Sequence, residues 1–576
     1  MYERLRYRLL PKTRDRWVLL IGLWVLLFVF VVLPIGLMFF YSFAESFPVI
    51  GPLSFTFEHY TDLFADTDLL IDITVNTFIY AGGATIVAMT IGVAMAIFVE
   101  KYFSSSKLQL VILLPYGLPG IAALTGWIIL LGNNGVLTRL IVSALGLSEA
   151  PYTIYSIPGM IWVEGLHTAP VAFLLVLPAI QAIPGAMEEA SFVVGASRLR
   201  TVRKVILPVI WPSILSTAIF LFARTMATVA TPSILGIPER IYTFGSAIPF
   251  LFLSGANLSY SRALSFSVFL TLISAVLILY YMRVQAHEGR YTTVTGKGRS
   301  QSTRYDTGIG RRTTYYAFVV GYIVVAGVLP LVAITYDSLF PTLQLSFDLS
   351  KLTLDNYVAL VSGGATGVSN LGRVITNTLV VGVIVPTSAM TIALLISYSN
   401  LSVKLPSARV MSFAAATTLA IPGIAKGLGF LVAFIRTPLY GTLGILIVAF
   451  HGQALPIAMR YASPALTRIG LENFEASTTV GDGVFGTFRR ITLPLVSSDF
   501  VAGWMHLYVS IVRNIPIAIL LYATGSEVLA VELLNVLNAG FFKTASTLAV
   551  LIAVISVIPY MLLQYLRLTR VQPDRA

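Results

Sequence analysis

Twelve apolar runs, each 21 residues or longer, leave this chain few ways to fold. They fall near residues 17–40, 73–99, 108–131, 155–180, 211–233, 262–282, 315–336, 374–399, 408–435, 442–463, 498–522 and 545–566. At a helical rise of about 1.5 Å per residue, runs of this length span roughly 30 Å, the thickness of a bilayer's hydrocarbon core. The runs therefore predict an all-α polytopic membrane protein with about twelve transmembrane helices. Composition agrees: charged residues make up 11% of the 576 residues, against about 25% in soluble domains. With no cysteine in the chain, disulfides and thiolate metal sites are excluded.

Charge orders these runs across the membrane. Residues 1–16 carry Arg4, Arg6, Arg8, Lys12, Arg14 and Arg16, whereas residues 41–72 carry six carboxylates and no Lys or Arg. A cleavable signal peptide has an apolar region of about 7–15 residues, so the longer run at 17–40 reads as an uncleaved first span. Both termini are then expected in the cytoplasm. With residues at span ends assigned to the adjoining loops, 28 of the 38 Lys and Arg are cytoplasmic, 7 lie outside and 3 lie within spans. That asymmetry follows the positive-inside rule. It accounts for the net charge of +12 through the lipid bilayer, with no nucleic-acid partner.

The layout occurs twice. Glu189-Ala190-Ser191, Gly195 and Val205-Ile206-Leu207-Pro208 return as Glu475-Ala476-Ser477, Gly481 and Ile491-Thr492-Leu493-Pro494, each 286 residues further on. Weaker echoes pair Phe55-Thr56-Phe57-Glu58-His59-Tyr60 with Leu352-Thr353-Leu354-Asp355-Asn356-Tyr357, Asn76-Thr77 with Asn377-Thr378, and Pro119-Gly120-Ile121 with Pro422-Gly423-Ile424. Their offsets of 297, 301 and 303 mean that loops changed length between the copies. Six spans per copy is an even number, so the copies are expected to be two parallel six-helix repeats. The halves are placed at 1–282 and 315–576. The polar stretch at 283–314, basic and without apolar periodicity, reads as a flexible cytoplasmic linker.

The doubled stretch itself predicts a helix-turn-helix elbow. Glu188, Glu189 and Ala190 open a polar helix with acidic residues near its favourable N-terminal end. Gly195 and Gly481 supply a turn that a side chain would forbid. Pro208 and Pro494 stand where a new apolar helix is expected to begin. Positive charge (Arg198, Arg200, Arg203 and Lys204; Arg489 and Arg490) would hold any loop on the cytoplasmic side, but it does not explain a spacing kept twice. The elbows read as docking sites.

This pattern resembles the EAA loop of the permease subunits of binding-protein-dependent ABC importers, here as two permeases fused in one chain. The resemblance covers nearly the whole sequence, and Ser191 and Ser477 depart from the usual third motif residue by one small residue for another. It implies a transport subunit rather than an enzyme, in a prokaryotic plasma or inner membrane. Its partners would be two cytoplasmic ABC ATPase subunits and an extracytoplasmic substrate-binding protein. On that analogy Glu189, Ala190, Gly195, Leu207 and Pro208 would couple to one ATPase, and Glu475, Ala476, Gly481, Leu493 and Pro494 to the other. Among fused permeases the likeness is to ferric-iron importers, helped by Thr231-Pro232-Ser233-Ile234-Leu235-Gly236 and Ile241-Tyr242-Thr243. Thiamine, phosphonate and sulfate or molybdate importers are the alternatives.

The residues carry no catalytic motif. There is no G-x-x-x-x-G-K-[ST] phosphate loop and no H-E-x-x-H pair. Neither catalytic nor metal-binding residues are assigned, and no cofactor is expected on this chain, since ATP and Mg would sit on the partner subunits. Ionisable residues at membrane depth are costly and mark function by default. Glu164, His167 and Arg224 in the first half, with Lys426, His451 and Arg513 in the second, are the candidates for a translocation path. The rival reading is a secondary transporter or channel that needs no ATPase, for which two matched docking loops would have no use.

Overall fold

The structure, a computed structural model, describes residues 13–45, 54–103, 106–253, 257–291, 305, 309–340, 349–364, 367–368, 370–402, 406–469 and 484–570. Among these residues the fold is helical throughout, apart from one isolated bridge between Ala44 and Phe55. The N-terminal half contributes α1 (Trp17–Tyr41), α2 (Thr67–Phe103), α3 (Gly120–Leu131), α4 (Ile157–Gln181), the short α5 (Gly185–Val193), α6 (Arg198–Met226), α7 (Phe244–Leu253) and α8 (Tyr260–Val284). The C-terminal half contributes α9 (Arg312–Ser338), α10 (Leu371–Asn400), α11 (Gly423–Phe434), α12 (Leu443–Thr467), α13 (Ser497–Val512), α14 (Leu529–Asn538) and α15 (Phe542–Arg570).

Nine helices among the described residues are long and apolar enough to cross a membrane, or up to eleven if two bent pairs each count as one span. The chain is thus a multi-pass, all-α membrane protein. Several of the twelve expected runs are not single rods. The run at 408–435 is Arg409–Ala420 followed by α11, bent by 112°, and the run at 498–522 is entered from Phe488–Leu495 through a 72° bend. The twelfth run lies in α15, whose described apolar part is Phe542–Val557. The run at 108–131 breaks into Ser106–Ile112, Leu114–Gly117 and α3. Pro119 and Pro422 set the matching breaks, standing just before α3 and α11 with extended ψ of 135° and 144°; proline has no N–H to give a helix interior.

Where a Leu-Pro pair sits inside a helix, the backbone answers with a widened turn. Five-residue π turns at Phe28–Val32, Val202–Ile206, Val324–Val328 and Phe488–Thr492 each run directly into Leu-Pro. A proline ring clashes with the carbonyl four residues back, and a wider turn moves that carbonyl aside. The helix expected to begin at Pro208 consequently begins at Arg198, where the Ser197 hydroxyl accepts the Arg200 N–H at 3.4 Å, and it passes through the proline.

Each half grips the first span of the other. Helix α3 packs on α9, and α11 packs on α1. The approach is closest at two glycines: a Cβ on Gly126 would lie 2.5 Å from the Pro330 carbonyl oxygen, and one on Gly429 2.5 Å from that of Pro34. Within each half, α2 packs along α4, and α10 along α12.

The sequence echoes become matching hydrogen bonds. Thr77 Oγ1 accepts the Phe244 N–H at 3.0 Å, and Thr378 Oγ1 accepts the Leu529 N–H at 2.9 Å, so each threonine caps the buried start of α7 or α14. Asn76 donates to the Tyr242 carbonyl, and Asn377 to those of Gly525 and Glu527. Tyr60 donates to Ser42 at 2.7 Å, and Tyr357 pairs with Ser338 at 2.9 Å.

Candidate functional site

Two sites emerge, a polar cavity between the halves and the first elbow. The cavity holds about 520 Å³ and takes its walls from α4, α6 and α8 of one half and α11, α12 and α13 of the other. After α6 and α13 the chain leaves helical form near Ala227 and Arg513, and residues 227–231 and 513–516 line the cavity directly. Pro232 opens a π turn there, and Pro516 stands in the equivalent non-helical stretch.

Five of the six candidate path residues line this one cavity: Glu164, His167, Arg224, Lys426 and Arg513. Glu164 and His167 stand one helical turn apart on α4. The Glu164 carboxylate is buried and accepts from Thr231 at 3.0 Å and Thr168 at 3.3 Å. Arg513 reaches across the halves, donating to the Tyr116 carbonyl at 2.7 Å, and its guanidinium carbon lies 4.3 Å from the Tyr116 ring centroid. The Arg224 guanidinium approaches the same ring at 5.7 Å. The two guanidinium carbons are therefore at most about 10 Å apart. At an effective dielectric of about 20 their repulsion is on the order of 1–2 kcal/mol. The ring's negative face offsets part of this.

His451 is placed elsewhere. Its Nε2 meets Ser388 Oγ at 2.7 Å, its Nδ1 meets the Ile447 carbonyl at 2.7 Å, and its ring stacks on Phe30. That is a packed position between α12, α10 and α1. The cavity instead takes Gln453, which hydrogen-bonds Asn514 at 2.6 Å. The offset of 286 that pairs Pro170 with Pro456 also pairs His167 with Gln453, so the repeat itself held the signal. Tyr116, Arg460, His506 and Asn514 also line the cavity without having been singled out from the sequence. Of these, His506 was visible as a titratable residue in a span and Arg460 as a charge near a span's end, whereas Tyr116 and Asn514 carry no local signal.

The first elbow is built from α5, a turn at Gly195 and the start of α6. Gly195 has φ +78°, the left-handed conformation that a side chain disfavours. Ser191, in the third motif position, meets Thr201 at 2.9 Å between hydroxyls and ties the two arms together. Glu189 and Ala190 face outward, as does Pro208, while Leu207 is half-buried. Beyond them Val193 and Val194 are 87% and 82% exposed, an apolar tip on a polar elbow. In the second copy Leu493 and Pro494 are exposed. Glu475, Ala476 and Gly481 lie outside the described residues.

Glu188, beside the motif, points the other way. Its carboxylate is fully buried, forms an ion pair with the equally buried Lys101 at the end of α2, and accepts the Tyr305 hydroxyl at 2.6 Å. The Tyr305 N–H donates to the Lys101 carbonyl at 2.9 Å. Burial and the neighbouring Glu188 carboxylate both push the Tyr305 hydroxyl well above its ordinary pKa, so it stays a donor. A residue from the stretch between the halves thus closes over the root of the elbow. At the 286-residue offset Glu188 corresponds to Phe474, so the second copy has no carboxylate in that register.

Helical spans, a polar cavity shared by two halves and a projecting elbow define a membrane transport protein of the permease class. No protein-family model matches the chain. It is similar to a ferric transport system permease protein, FbpB, of Actinobacillus pleuropneumoniae, with 24% identity over 82% of this chain and 67% of that protein. A putative ferric transport permease, FbpB 1, of Haemophilus influenzae is 24% identical over 80% of the chain and 71% of its own length. A probable ABC transporter permease of Sinorhizobium fredii is 22% identical over 79% and 80%. Over about four-fifths of its length the chain is thus similar to permeases of ABC transport systems, as a fused double permease would be.

Proposed function

We propose that the chain imports ferric iron received from an extracytoplasmic binding protein, driven by two ABC ATPases docked on its two elbows. In this reading residues 1–282 and 315–576 are the two permease halves, joined by a cytoplasmic linker at 283–314, and both termini are cytoplasmic in a prokaryotic plasma or inner membrane. ATP and Mg belong to the ATPases, and this chain holds no cofactor. The iron assignment draws on the two ferric permeases above.

The observation that carries the coupling role is the exposed tip of the first elbow. Two adjacent valines more than four-fifths exposed, next to the outward Glu189, are an unusual expense of apolar surface unless a partner covers them. The buried Lys101–Glu188 pair and Tyr305 hold that tip against the body of the protein, so a push on the elbow is transmitted to α2. Helix α2 packs along α4, which carries Glu164 and His167 into the cavity.

Two variants test this. Val193→Asp with Val194→Asp, and separately Glu189→Lys with Glu475→Lys, should each reduce ATPase retained by the purified permease by at least about tenfold. That is the effect of losing about 1.4 kcal/mol at the interface. Thermal stability of the permease alone should stay unchanged, because these side chains are exposed or lie in the matching loop. Normal ATPase retention by both variants would remove the docking role.

A further inference from the structure

The cavity has the wrong sign for a bare metal cation. Four basic side chains line it, Arg224, Lys426, Arg460 and Arg513, against one carboxylate, Glu164. Glu164 is engaged by two threonine hydroxyls and forms no ion pair with any of the four among the described residues. Lys426 is 6% exposed, and its ammonium has no hydrogen-bond or ion-pair partner among the described residues. A buried ammonium without a partner is costly, and a charge at membrane depth marks a path or a ligand. Arg224 and Arg513, from opposite halves, converge on the single Tyr116 ring, and among the described residues no carboxylate is paired to either. Among the described residues no group of three His, Asp or Glu is placed to hold a metal ion.

We propose that the species crossing this cavity is a small multivalent oxyanion, of the phosphate, phosphonate or polycarboxylate kind, either free or as the shell of a ferric complex that is anionic overall. The inference rests on the reading of this cavity as the cargo's path. Iron then passes as a chelate whose outer oxygens face the protein. Guanidinium groups present forked donors that match such oxygens two at a time. Lys426 adds a point charge from the opposite wall. An anion relieves the mutual repulsion of the three arginines and favours the charged form of Lys426, whereas a trivalent cation would add to that repulsion. Glu164 sets the limit on charge, disfavouring oxyanions that crowd its side of the cavity.

The test is equilibrium binding to the full chain in lipid nanodiscs, with radiolabelled phosphate, citrate, ferric citrate and, as the cationic control, spermidine. Saturable binding of at least one oxyanion probe without spermidine binding is expected. Arg224→Gln with Arg513→Gln, and separately Lys426→Met, should weaken it by at least about tenfold, the loss of one charge-assisted contact. Arg224→Lys with Arg513→Lys keeps the charge and should retain intermediate binding, which separates loss of binding from loss of fold. Glu164→Gln removes the opposing charge and should bind the oxyanion more tightly. Ferric citrate binding that citrate alone does not displace identifies the chelate as cargo. Equal binding of phosphate or citrate without iron identifies a free oxyanion. Spermidine binding, unaltered oxyanion binding in the glutamine and methionine variants, or no binding of any probe up to millimolar concentration would overturn the proposal. ATPase retention by the same preparations reports separately on the permease reading, so the two can fail independently.

Discussion

Lys101→Met is expected to destabilise the protein by about 3–5 kcal/mol, the range for removing one partner of a buried ion pair. The reason is local. Lys101 and Glu188 are both fully buried, so the variant leaves a carboxylate away from water without its buried ammonium partner, still accepting the Tyr305 hydroxyl. Lys101→Met combined with Glu188→Leu removes both charges and should recover most of the loss, because apolar replacement of a whole buried pair is often neutral. Tyr305→Phe removes one hydrogen bond to a charged group and should cost about 1.5–3 kcal/mol. Thermal unfolding in detergent checks the order: Lys101→Met lowest, Tyr305→Phe intermediate, the double variant near the parent. If the single lysine variant melts with the parent, the pair does not hold the elbow.

The second large effect is expected where the halves clasp. Gly429→Leu places a side chain against the Pro34 carbonyl, where even a Cβ would lie 2.5 Å away, and Gly126→Leu does the same against Pro330. The contact is with backbone, so neither side can swing clear, and overpacking of this kind costs about 1–3 kcal/mol or more. Both variants should lower the melting temperature and the yield of intact monomeric chain from membranes. Gly22→Leu and Gly321→Leu are the controls, since nothing lies within 4 Å of a Cβ at either position. Equal melting of all four would mean that the halves do not depend on these crossings.

What could be read from the sequence was whatever the repeat or the apolar period records. The Asn-Thr echo marked two threonines that cap buried helix starts, and the Pro-Gly echo marked the two matched breaks before α3 and α11. The Gly195 turn was legible because a positive φ favours one residue type. Glu188 was not legible as an anchor. It looks like any acidic residue in a first helical turn, and its partners are 87 residues before it and 117 after it. The bends of 112° and 72° were hidden because apolar runs report length and not direction. His451 drew notice as a histidine, while Gln453, its neighbour on the same helix and the repeat mate of His167, carries the cavity position. Chemical type was the poorer guide there, and register the better one.

We propose that one chain engages two ATPases through its two copies of the motif. The mass of the purified, ATP-hydrolysing complex tests it most directly. One permease chain with two ATPase subunits is expected, and Gly195→Val or Gly481→Val should weaken that complex. An active complex containing a single ATPase per chain would contradict it.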